Sequence, residues 1–226
     1  MLARRLSGWA VFDLDGTLVD TLGDIASALN RVLQKHDRES LPKEEVKDLV
    51  GKGPRILVER AWIRTGREAE AGRLGNFTRE YLAEYLANPK GKSRPFPGVE
   101  DGLQRLILRG WKLGVCTNKD GVAARALIRE LGWDRWIRVV VSGGETVRKP
   151  DARPLRWALD QLRAGRGRHL YVGDSGIDME TARNAGVEGV FLGYGYGRAN
   201  GMEDRFFSSA VEMFSWMARS GPGVCV

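Results

Sequence analysis

Short apolar runs alternate with helical patterns along most of this chain, and that rhythm leaves few folds open to it. Residues 9–15, Trp9-Ala10-Val11-Phe12-Asp13-Leu14-Asp15, read as a buried strand that ends in acid. Runs at 112–117, 137–141, 169–173 and 189–192 have the same character. Between them lie helical patterns at 99–109, 121–131, 154–163 and 178–185, with a last helix near 208–219. Strands without a polar face, separated by helices, belong to a parallel sheet covered on both sides. The expected fold class is α/β, with a doubly wound, Rossmann-like core.

A block with no strand pattern, from about 18 to 92, separates the first strand from the rest. Leu22, Ile25, Leu29, Val32 and Leu33 share one helical face. Pro42 starts a second helix bearing Val46, Leu49 and Val50, and the turn at 51–54 opens a third with Ile56, Leu57 and Ala61. Residues 67–87 supply a fourth, with Leu74, Phe77, Tyr81, Leu82 and Tyr85. A Pro/Gly/Lys segment at 88–98 closes the block. The expected division is an α/β core of residues 1–17 plus 95–226 and a small all-helical cap of 18–94, hinged at 18–22 and 88–97.

Composition narrows the chemistry. Two cysteines (Cys116, Cys225) and two histidines (His36, His169) cannot build a disulfide framework, a zinc ribbon or a His-rich metal centre. Cys116 reads as core filler within a strand, and Cys225 as part of a frayed tail. No apolar run approaches the ~18 residues of a membrane span. The basic N-terminus leads into an apolar stretch cut short at Asp13, so no signal peptide is read and the expected location is cytoplasmic. The net charge of +7 favours anionic partners (nucleic acid, an acidic membrane or a phosphorylated small molecule), but it is scattered, without a basic stripe, and on this ground reads as a solvated basic surface. Trp62, Trp111, Trp133, Trp136 and Trp157 are expected in the core and at interfaces.

Ligands of such sheets bind beyond the carboxyl ends of the strands. Asp13 and Asp15 end the first strand, Thr117-Asn118-Lys119 the next, and Gly173-Asp174-Ser175 a later one, with Asp178 four residues beyond Asp174 and Lys149-Pro150 after the third. Carboxylates gathered on one rim repel unless a cation sits among them, and hard oxygen ligands suit Mg²⁺. A lysine, a hydroxyl and backbone amides beside that cation suit a tetrahedral anion such as phosphate. A carboxylate facing phosphorus can act as nucleophile, and a second acid two residues on can protonate the leaving oxygen.

With those residues in that order, Asp13-Leu14-Asp15-Gly16-Thr17-Leu18-Val19-Asp20 resembles the first motif of the haloacid dehalogenase-like phosphohydrolases. Thr117, Lys149-Pro150 and Gly173-Asp174 with Asp178 follow in that family's order. The resemblance implies a Mg²⁺-dependent phosphomonoesterase. Asp13 would be nucleophile and metal ligand, Asp15 acid/base and metal ligand through its carbonyl, and Asp174 the third metal ligand. Thr117 and Lys149 would clamp phosphate with Asn118 close by, and Asp178 would orient the metal or the lysine. The segment 50–61, with Asp24-Ile25-Ala26, Thr117-Asn118-Lys119 and Gly193-Tyr194-Gly195-Tyr196-Gly197, is similar to phosphoglycolate phosphatases as a group. That implies a small phosphorylated substrate, 2-phosphoglycolate, whose carboxylate would meet a cap cation, Lys52 or Arg55. Ala152, Arg148, Arg153 and Ile177 depart from the usual pattern and bear on substrate, not on reaction type. Sugar phosphates, nucleotides and pyrophosphate remain alternatives, as do a phosphosugar mutase, a phospho-accepting signalling domain and a nucleic-acid binder. Monomer and homodimer both stay open.

Overall fold

The computed structural model describes residues 7–66, 72–144 and 147–220. The chain opens with β1 (Ser7–Phe12) and the two-residue β2 (Val19–Asp20). Four helices follow: α1 (Leu22–Lys35), α2 (Lys43–Lys47), α3 (Pro54–Arg64) and α4 (Leu74–Leu86). After β3 (Arg94–Pro95) come α5 (Val99–Leu108), β4 (Lys112–Thr117), α6 (Gly121–Glu130), β5 (Ile137–Ser142), α7 (Arg153–Gln161) and β6 (Gly167–Gly173). The chain continues through α8 (Gly176–Ala185), β7 (Glu188–Leu192), β8 (Arg205–Phe207) and α9 (Ala210–Ser220).

Six strands form one sheet in the order β5-β4-β1-β6-β7-β8, with every neighbouring pair parallel. From β1 the chain builds to β4 and β5 on one side and to β6, β7 and β8 on the other, so the switch point lies at the carboxyl end of β1. The strands are buried on both faces because their side chains alternate. Ala10 and Phe12 join Leu103, Leu106, Leu127, Met213 and Phe214 on the α5, α6 and α9 side. Trp9 and Val11 join Leu155, Ala158, Leu159 and Ala182 on the α7 and α8 side.

Helices α1 to α4 pack around an apolar cluster of their own, including Leu29, Leu33, Val58, Trp62, Phe77, Tyr81 and Tyr85. Trp62 and Phe77 stack with ring centroids 4.3 Å apart, and Arg38 lies over Trp62. Ala123 of α6 belongs to the same cluster, so the helical block seats on the sheet side through α6.

Some expectations need correction. The block from 18 to 92 is not free of strand: β2 pairs antiparallel with β3, Val19 opposite Pro95 and Asp20 opposite Arg94. Two residues are too few to show an alternating pattern, and the same holds for the three-residue β8. The fourth helix begins at Leu74, and the expected start at 67–71 lies outside the described residues, as does Cys225. Trp62, Trp111, Trp133 and Trp136 are buried, but Trp157 on α7 is 40% exposed. Cys116 is fully buried. Among the described residues no helix is long and apolar enough to cross a membrane.

Candidate active site

Because β4, β1 and β6 are neighbours, their carboxyl ends meet. Asp13 continues β1 by one residue, its N–H donating to Val172 O at 2.8 Å. The chain must then turn at once. Gly16 adopts φ +83°, and its N–H donates to Val19 O. A Cβ at Gly16 would stand 2.6 Å from Asp174 Oδ2, so both the backbone sign and the close approach require glycine.

Lys149, from the loop after β5, is buried between two carboxylates: Nζ lies 2.9 Å from Asp13 Oδ1 and 2.6 Å from Asp178 Oδ1. Burial opposes the Lys149 charge, but Asp13 and Asp178 outweigh it and hold the ammonium above the usual lysine range. Asp178 has little capacity left. Its Oδ2 accepts from the Ser175 N–H and Oγ, which ties it to the start of α8, and Tyr171 Oη stands 3.0 Å from Oδ1. Its lone pairs are spoken for, so its contact with the site is through the lysine.

Asp13 and Asp174 are different. Burial, ahead of its Lys149 partner and the neighbouring Asp178 and Asp174, pushes the Asp13 carboxyl up to about 7. Burial and then Asp178 raise Asp174 to about 6. Asp174 accepts from Thr17 Oγ1 at 2.7 Å and from the Tyr196 N–H at 2.7 Å. Asp13 Oδ1, apart from its ion pair, is buried without a well-formed hydrogen bond. Oxygens of Asp13, Asp174 and Asp178 lie within 4.8 Å of one another, all buried. Two crowded carboxylates whose charge burial disfavours are suited to a divalent cation.

Asp15 projects from the same turn toward the helical block. Its Oδ1 accepts from Thr21 Oγ1 at 2.7 Å and from Lys119 Nζ at 2.9 Å. A pocket open to solvent, with about 50 Å³ of space for water-sized molecules, lies above Asp13 and Asp15, and Thr117, Asn118 and Lys119 also line it. Its far wall is apolar, formed by Ile25, Val50, Leu57, Tyr81 and Tyr85. Thr117 is buried at its edge. The Asn118 amide is used on backbone: Nδ2 donates to Gly51 O and Lys149 O, and Oδ1 accepts from the Lys149 N–H. It therefore links the loop before α3 to the lysine loop.

Asp13, Asp15, Thr117, Asn118, Lys149, Asp174 and Asp178 are thus brought together. Lys52 and Arg55 are not: both are exposed, and neither lines the pocket. Position 53, between them, is a glycine at φ +87° against Asn118 O and Arg148 Nε, so that loop presents backbone to the core. Three further residues serve the site. Lys119 had a visible signal, a cation directly after the strand-end Thr117-Asn118. Tyr171 had none, since it sits inside an apolar strand. Tyr196 lay within a glycine-tyrosine run, and its hydroxyl accepts from the Thr21 and Leu22 N–H groups and donates to Asp20.

A parallel sheet with buried acids and a lysine at its switch point, facing a pocket walled by inserted helices, defines a Rossmann-like α/β protein with its site at the switch point. The sequence profile of the haloacid dehalogenase-like hydrolase family matches residues 10–192, and the chain belongs to that family. Two curated relatives are both named phosphoglycolate phosphatase. That of Rhodospirillum rubrum is 43% identical over 194 residues, covering 83% of this chain and 80% of that protein. That of Agrobacterium fabrum is 35% identical over 197 residues, covering 87% and 84%. The crystal structure of a predicted phosphoglycolate phosphatase from Haemophilus somnus 129pt aligns with TM-score 0.84 at 26% identity, covering 95% of this chain and 99% of that one.

Proposed function

We propose that this phosphatase hydrolyses 2-phosphoglycolate to glycolate and phosphate with Mg²⁺ as its ion. The observation that carries the reading is Asp13: a buried carboxylate at the pocket floor, held 2.9 Å from Lys149 and grouped with Asp174, facing a wall of Ile25, Leu57, Tyr81 and Tyr85. The names of the relatives support the substrate. The Asp13 carboxylate attacks phosphorus, and Asp15 gives a proton to the departing glycolate oxygen. Asp15 then takes a proton from the water that hydrolyses the aspartyl phosphate. Lys149 and Thr117 hold phosphoryl oxygens, and the helices of 18–94 act as the cap that closes over the substrate. Asp13, Asp174 and the Asp15 carbonyl are the groups that would hold Mg²⁺. When bound, the ion neutralises phosphoryl charge and favours the ionised form of Asp13.

Phosphate release from a panel of phosphomonoesters, with and without MgCl₂, tests this. Metal-dependent turnover with 2-phosphoglycolate as the preferred substrate is expected. A clear preference for a sugar phosphate, a nucleotide or pyrophosphate would overturn the substrate assignment.

The ion can also be tested without activity. Asp13 and Asp174 have folded pKa values of about 7 and about 6, against 3.8 when unstructured. Between about pH 4 and pH 7 the folded protein therefore holds protons that the unfolded chain has lost, and metal-free stability falls as pH rises through that window. A divalent cation binds the ionised pair, so its stabilisation grows in the same direction. At a hundredfold excess over Kd this amounts to about 2.7 kcal/mol, or roughly 5–10 °C in Tm. Thermal melts at pH 5 and pH 8 should show the larger Mg²⁺ shift at pH 8; equal shifts would contradict the site.

A further inference from the structure

The pocket above Asp13 combines an apolar wall with three carboxylates, Asp13, Asp15 and Asp120. Among the described residues that line it there is a single cation, Lys119. Lys149 is engaged beneath Asp13 and is not part of the lining, and Lys52 and Arg55 stand outside. An anionic leaving group entering a pocket of this sign, against an apolar wall, needs a positive partner.

Lys119 stands where that partner must be. Its Nζ lies 2.9 and 3.2 Å from the two oxygens of Asp15, and 4.1 Å over the ring of Tyr85. The side chain is 6% exposed. An ammonium carries three donors: Asp15 takes two, and the third, next to the Tyr85 hydroxyl, faces the pocket where an incoming group can take it. The hydroxyl of Tyr85, buried in the same wall, is a second polar group beside the Lys119 ammonium. In 2-phosphoglycolate a single methylene separates the ester oxygen from the carboxylate. The group that protonates the ester oxygen and the group that holds the carboxylate must therefore be immediate neighbours, as Asp15 and Lys119 are.

We propose that Lys119 recognises the carboxylate of the leaving group, so that the core loop after β4, and not a cap cation, selects for acid-bearing phosphomonoesters. This rests on the substrate reading above.

The test compares 2-phosphoglycolate with 2-hydroxyethyl phosphate, which has a neutral hydroxymethyl in place of the carboxylate. Lys119→Met is expected to lower kcat/KM for 2-phosphoglycolate about 10- to 100-fold more than for the neutral analogue, chiefly through KM. Lys119→Arg, which keeps the charge, should restore part of the preference. Equal losses on both substrates would assign Lys119 to positioning Asp15 alone and overturn the inference. Should Lys119→Met fail to fold by circular dichroism, the wild type carries the test. A preference for 2-phosphoglycolate of about tenfold or more supports the inference, and equal rates on the two esters overturn it. If neither ester is hydrolysed while another phosphomonoester is, the substrate reading itself fails and takes this inference with it.

Discussion

Asp13→Asn is expected to abolish phosphate release, by at least about 10⁴-fold in kcat, while leaving the fold intact. An amide cannot attack phosphorus as a carboxylate does, yet it keeps the shape of the side chain and an oxygen for Lys149 Nζ. Lys149 also retains Asp178 at 2.6 Å. The sign of the stability change is informative. With its folded pKa at about 7 against 3.8 when unstructured, ionised Asp13 costs the metal-free protein stability above neutrality. Asn removes that cost, so without metal at pH 8 the variant should melt at or above the wild-type temperature. Turnover within tenfold of wild type on any ester that the native enzyme prefers would remove Asp13 from the nucleophile's role.

Asp178→Ala should show the opposite pattern, a large loss of stability that no metal is needed to reveal. Asp178 is 0% exposed, and its carboxylate holds Lys149 and the Ser175 N–H and hydroxyl, with Tyr171 in contact. Deleting it leaves a buried ammonium with Asp13 as its one carboxylate, beside the Tyr171 hydroxyl, and leaves the first turn of α8 unsatisfied. Breaking a buried pair in this way costs about 3–5 kcal/mol. For a chain of this size that corresponds to roughly 6–20 °C in Tm. Asp174→Asn is the contrast: its one amide oxygen can still accept from the Tyr196 N–H while its NH2 donates to the Thr17 hydroxyl, and it should lose the Mg²⁺-induced rise in Tm with little change in metal-free Tm. If Asp178→Ala melts within about 2 °C of wild type, the lysine does not depend on it.

The α/β class was legible because both faces of the sheet are buried. Trp9, Ala10, Val11 and Phe12 face alternate sides, and every one of them had to be apolar. The strand-end acids were legible because no core packing calls for Asp13, Asp15 or Asp174 at those positions. The short strands β2 and β8 were not, since pairing over two or three residues is set by neighbours across the sheet and not by local pattern. Where Lys52 and Arg55 lie was not legible either: charge in a loop gives no direction, and here the loop turns its backbone inward at Gly53.

By itself, then, the order of residues determined the parallel sheet, the helical insertion and the set of polar groups delivered to one rim. These follow from periodicity and from what ends each strand, both of them local properties. Tertiary structure alone decided how those groups divide their work. It paired Lys149 with both Asp13 and Asp178, saturated Asp178 with Ser175 and Tyr171, and left Asp13 with the lysine as its one charged partner. It also set Lys119 against Asp15, 104 residues away in sequence. Charge pairing acts through distance and burial, and both are properties of the packed chain.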